Sequence, residues 1–165
     1  MTRQQQVARL AELLVERQQK VVTAESCTGG GVAQALTEQP GSSAWFESGW
    51  VTYSNAAKMR CLGVDAVVLE RDGAVSESVV KAMVAGACRA AGADWGLATS
   101  GIAGPDGGTP EKPVGLVWLA WGNAQQQQAL SCRFSGSRHA IREASIDQLL
   151  AIFIAELEAD ASEAN

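Results

Sequence analysis

The chain has 165 residues, 47% of them hydrophobic and 19% charged, and 13 Lys+Arg against 18 Asp+Glu leave a formal charge of −5. That is the length of one domain with enough apolar content to bury a core, well outside the disordered range. A single histidine, His139, excludes paired-histidine zinc motifs, and an acidic balance without Lys/Arg runs disfavours nucleic acid and membrane surfaces as partners.

In chain order, Thr2 is placed to cap a first helix in which Val7, Leu10, Ala11 and Leu14 draw one apolar stripe. Lys20 to Ala24 reads as a strand. Glu25-Ser26-Cys27-Thr28 and three glycines then form a tight turn into a helix through Val32, Ala33 and Leu36. Pro40-Gly41-Ser42-Ser43 breaks that helix, and Phe46 to Tyr53 is β-prone. Asn55 starts a short helix carrying Lys58. From Ser76, a plausible N-cap, Val79, Val80, Met83, Val84, Ala87 and Cys88 keep helical spacing to Gly92, and Trp95 to Ser100 follows as a buried strand.

Residues 101–113 hold four glycines and three prolines and cannot continue a regular element. Val114 to Trp121 and Ala129 to Phe134 read as strands joined through Gly122-Asn123 and a glutamine run. The last helix places Ile146, Leu149, Leu150, Phe153, Ile154 and Leu157 on one side, and its polar tail, 158–165, is expected to fray. Alternating helices and strands point to a single-domain α/β sandwich over 1–165 with a mixed sheet. No stretch approaches the ~18 apolar residues of a membrane span, and the opening residues lack the apolar core of a signal peptide, so the cytoplasm is the expected compartment.

Three segments stand out at the strand ends where α/β folds bind ligands, Glu25 to Gly31, Tyr53 to Lys58 and Ser100 to Gly115, the first and third of them rich in glycine. In the first, Thr28, Gly29 and Gly30 permit backbone N–H groups to approach an anion, and Ser26 offers a hydroxyl; the alternative is that Ser26 and Thr28 are ordinary caps. The run matches neither the dinucleotide fingerprint nor the P-loop. A serine nucleophile needs a base, and without a placed histidine a desolvated lysine is the substitute: Lys58, with Tyr53 nearby to orient it or relay a proton. The alternative is an exposed surface lysine. In the third segment Ser100, Gly101, Gly104, Gly107 and Gly108 allow close backbone approach, and Thr109 and Lys112 offer a hydroxyl and a cation for a phosphate; a structural Ω-loop is the alternative. Cys27 is a rival nucleophile or a small buried apolar residue, and the four cysteines, which hold no C-x-x-C pair, read as reduced thiols. His139 reads as a surface residue. Adjacent side chains in extended backbone point opposite ways, which sets Ser26 and Cys27 apart.

Several ordered motifs carry a resemblance over essentially the whole chain: A-E-S-C-T-G-G at 24–30, G-S-S-A-W-F-E-S-G-W-V-T-Y-S-N-A-A-K at 41–58, and G-A-V-S-E at 73–77. They continue as S-G-I-A-G-P-D-G-G-T-P-E-K-P-V-G at 100–115 and F-S-G-S-R-H-A-I-R at 134–142. The chain resembles the CinA C-terminal domain family. The resemblance implies a three-layer α/β/α sandwich with a mixed, mostly parallel sheet, assembled as a homodimer or larger homo-oligomer. It implies hydrolysis of the carboxamide of nicotinamide mononucleotide without metal or cofactor. It also implies Ser26 as nucleophile, Lys58 as base with Tyr53 nearby, and Arg142 near the substrate phosphate. A non-catalytic nucleotide-binding module using the same glycine loops is the alternative from another class.

Overall fold

The computed structural model describes residues 1–163. Among them the chain forms five strands and six α-helices: α1 (Arg3–Glu16), β1 (Val21–Glu25), α2 (Gly31–Thr37), β2 (Phe46–Val51), α3 (Asn55–Leu62), α4 (Ala66–Asp72), α5 (Glu77–Ala91), β3 (Trp95–Gly101), β4 (Leu116–Gly122), β5 (Gln127–Arg133) and α6 (Arg138–Glu163). α1 opens on a capping box, the Thr2 hydroxyl accepting from Gln5 N–H while the Gln5 side chain accepts from Thr2 N–H. Ser54 and Ser76 cap α3 and α5 in the same way, each accepting from a backbone N–H in the first turn.

The strands form one sheet in the order β2-β1-β3-β4-β5. β1 is parallel to both β2 and β3, whereas β3–β4 and β4–β5 are antiparallel. Four of the five strands therefore run one way and β4 alone runs against them. β1 is buried along its whole length because both faces of the sheet are covered. Val21 and Leu97 pack with α1, α2 and α6 on one face, and Val22, Ala24, Ala98 and Ala120 pack with α3, α4 and α5 on the other. The three-layer expectation is met.

Small residues set the height of α5 above the sheet. A Cβ on Gly96 would stand 2.8 Å from the Cys88 sulfur, and one on Gly86 would stand 1.9 Å from the Leu62 carbonyl oxygen. The helix thus touches the sheet on one side and the end of α3 on the other.

Two details differ from the sequence reading. α4 was not foreseen: it spans seven residues and buries only Leu69, too little to generate a periodic signal. The last helix extends past Glu158 to Glu163, with Arg9 of α1 paired to Glu158 at 3.0 Å and Arg17, just past α1, to Asp160 at 2.9 Å. Ala164 and Asn165 lie outside the described residues. No helix among the described residues is long and apolar enough to cross a membrane.

Candidate active site

With β1 flanked by β2 on one side and β3 on the other, the strand order reverses at β1, and the carboxyl ends of β1 and β3 open a crevice. Ser26 is the first residue past β1. Its N–H donates to the Thr99 carbonyl at 3.0 Å, extending the β1–β3 ladder by one bond before the chain turns. On the other side Thr52 N–H donates to the Glu25 carbonyl at 2.9 Å, and β2 gives way to α3.

α3 delivers Lys58 from the opposite wall. Its Nζ lies 2.9 Å from Ser26 Oγ, 2.8 Å from the Thr52 carbonyl oxygen and 3.1 Å from that of Tyr53. The side chain is 1% exposed, so the surface-lysine alternative does not hold. Among the described residues Glu25 is the one buried carboxylate, and it turns away to accept from Val32 N–H and Ala33 N–H on α2. Lys58 is therefore buried without an acidic partner. Burial pulls its ammonium from 10.5 down to about 8, against a weak opposing pull from the nearby Cys27 thiol.

Nζ donates to all three partners, the full donor set of an ammonium. A neutral amine has two N–H bonds and one lone pair. On losing a proton Nζ keeps two N–H bonds for the two carbonyls and frees a lone pair for the Ser26 hydroxyl proton. The carbonyl of Tyr53 is also 3.4 Å from Ser26 Oγ. Tyr53 thus contributes through its backbone, whereas its phenol, on a side chain 59% exposed, accepts from Arg138 at 3.0 Å. Contact of the phenol with the Ser–Lys pair, as the sequence suggested, is not what the fold provides.

Ser26 and Lys58 open into a cavity of about 280 Å³. Ser100, Gly101, Gly104 and Gly107 border it as expected, and Arg138, which also donates to the Gly104 carbonyl at 2.8 Å, supplies its cation. Cys27 borders it too. The alternation that was to separate Cys27 from Ser26 applies to extended backbone, and the chain has already left β1 there. Burial pushes the Cys27 thiol up to about 11, which makes it a poor nucleophile at neutral pH.

The other expected site residues lie elsewhere. Thr28, Gly29, Gly30 and Arg142 border a second cavity of about 300 Å³ together with His139. The Thr28 hydroxyl is already engaged, 2.6 Å from Glu25 Oε1 and 2.8 Å from Thr99 Oγ1. Arg142 donates to the Thr28 carbonyl at 3.3 Å, while its buried Nε has no partner. Gly108 and Thr109 line a shallow concavity of the 101–115 loop itself. Thr109 and Lys112 bond to each other across a turn, and the Lys112 ammonium reaches the Asp72 carbonyl at 2.5 Å instead of the crevice. Arg138 and Arg142 stand one helical turn apart, so sequence spacing put both on one face of α6 without saying which would meet Ser26. No group of three or more His, Cys, Asp or Glu among the described residues is arranged to hold a metal.

The profile of the CinA C-terminal domain matches residues 3–157. The chain belongs to the CinA C-terminal domain family. Within that family it is 56% identical to the nicotinamide-nucleotide amidohydrolase PncC of Pseudomonas putida over 146 residues, 86% of this chain and 91% of that protein. It is 53% identical to the protein of the same name from Escherichia coli K12 over 81% of each chain. Among CinA-family crystal structures, the competence damage-inducible protein A of Klebsiella pneumoniae superimposes with a TM-score of 0.93 at 37% identity, covering 96% of this chain and 98% of that one.

Proposed function

We propose that the chain is a nicotinamide-nucleotide amidohydrolase that converts nicotinamide mononucleotide and water to nicotinic acid mononucleotide and ammonia, with Ser26 as nucleophile and Lys58 as general base. The observation that carries the mechanism is the 2.9 Å contact between Lys58 Nζ and Ser26 Oγ, made by a lysine whose burial brings it to about 8. The names of the relatives at 53–56% identity support the substrate.

Neutral Lys58 takes the hydroxyl proton as Oγ bonds to the amide carbon. The resulting ammonium gives that proton to the departing nitrogen, and ammonia leaves an ester on Ser26. Water then adds to the ester, Lys58 taking one proton and returning it to Oγ, and the acid that departs loses its remaining proton to water and leaves as the carboxylate. Donors for the oxyanion are assigned to the 102–107 loop, where the N–H groups of Ala103 and Gly107 reach no backbone acceptor. Arg142, which borders the second cavity beside Thr28 and Gly29, is assigned to the substrate phosphate.

A coupled ammonia assay with nicotinamide mononucleotide, its riboside, nicotinamide and NAD tests the reading. Ser26→Ala is expected to lower kcat by about three orders of magnitude or more with the fold retained. Near-normal ammonia release from the pure variant would sink it.

A further inference from the structure

Glu25 ends β1 as a carboxylate 1% exposed, in a position where an unpaired charge would be costly. Its Oε1 accepts from Val32 N–H at 2.8 Å and from the Thr28 hydroxyl at 2.6 Å, and its Oε2 accepts from Ala33 N–H at 3.1 Å. The Thr28 hydroxyl is the donor to Glu25 Oε1, so its single proton is committed there. The 2.8 Å contact between Thr28 Oγ1 and Thr99 Oγ1 must then use the proton of Thr99. That direction leaves Thr99 Oγ1 with lone pairs alone for its other neighbours, the Cys27 side chain and Ser26 N–H at 3.4 Å, the latter also donating to the Thr99 carbonyl at 3.0 Å. Thr28 and Thr99 are 1% and 0% exposed, so both hydroxyls are shielded from bulk solvent.

We infer that Glu25, Thr28 and Thr99 form a polarised hydrogen-bond chain whose function is to hold the Ser26 backbone where Oγ faces Lys58, making Thr99 and Thr28 positioning residues for the nucleophile. The inference rests on Ser26 being that nucleophile. None of the three touches the cavity's cation, and Glu25 exerts no resolved pull on Lys58, so the chain acts on where the serine stands and not on the basicity of its partner.

The test uses Thr99→Val, which keeps the shape and deletes the hydroxyl, Thr99→Ser, which restores it, and Thr28→Val as a second break in the same chain. Two readouts separate this inference from the substrate assignment. The first is the rate at which a fluorophosphonate labels the protein, followed by intact mass: the Oγ–P bond forms, fluoride leaves and Lys58 takes the proton. The second is ammonia release from nicotinamide mononucleotide. Thr99→Val and Thr28→Val are expected to label and turn over about tenfold or more slowly, with KM within about twofold, unfolding midpoints near wild type and the acid limb of the pH profile unmoved; Thr99→Ser is expected within about threefold of wild type. Folded Thr99→Val at wild-type labelling rate overturns the inference, as does a Thr99→Ser protein as slow as the valine variant. Wild-type protein that labels but releases no ammonia overturns the substrate and leaves the positioning chain standing on the labelling rates. Wild-type protein that does not label overturns both.

Discussion

A buried ammonium is tolerated when its neighbours accept its protons and when the charge itself can be given up. Lys58 has both routes, with two carbonyls on its N–H bonds and no acid to hold it charged. In the proposed mechanism its base form is the working form, so kcat/KM is expected to climb about tenfold per pH unit below an apparent pKa near 8 and to level off above it. A pH–rate profile flat between 6.5 and 9 would refute a lysine base. At this scale the sequence was informative about identity more than about contact. The absence of a placed histidine pointed to a lysine, yet Tyr53 enters through its carbonyl, and Glu25, a lone acid at the end of an apolar strand, passed without notice. Backbone carbonyls carry no residue signature, which is why that part of the site was not legible.

Around α5, glycines set how closely the elements meet. Gly86 on α5 lies against the last residue of α3, the helix that carries Lys58, and Gly96 lets the same helix approach β3. Gly86→Ala is expected to destabilise at the upper end of the usual cost of overpacking, about 1–3 kcal/mol, because the methyl would meet backbone and not a movable side chain. Equilibrium denaturation checks this, and an unchanged midpoint would count against so close a contact. The long elements were readable in advance from caps and apolar spacing, as α1, α5 and α6 illustrate. α4 was not, since one buried leucine draws no stripe. Nor did the glycine-rich loop reveal that Thr109 and Lys112 satisfy each other and Asp72, because glycine density reports freedom of the chain and not its direction.

For the whole molecule, the buried lysine is a stability cost that the function imposes. The sign follows from the two titrations. Below about pH 8 the lysine is charged in both states and the burial cost is fully present. Between about 8 and 10.5 the unfolded chain holds more protons than the folded one, so stability attributable to this group rises with pH, and above 10.5 the cost is gone. Against a Lys58→Met variant, wild-type stability is therefore expected to improve over that window by at most about 3 kcal/mol. Denaturant midpoints of the two proteins at pH 7.5, 9 and 10.5 measure it, and parallel curves would rule it out. The α/β/α class was legible from alternating elements and from the resemblance, whereas the crevice depends on strand order, which no local pattern records.

The missing acid beside Lys58 also bears on how one catalytic cycle gives way to the next. A cation left without a counter-ion treats any anion entering its cavity as one, and the chemistry proposed here makes an anion from a neutral amide. While the carboxylate remains, it favours the protonated lysine, and a protonated lysine cannot accept the proton of Ser26. Departure of the product and recovery of the base are then one event, and the protein's own lack of an acid at that spot is what keeps the two coupled.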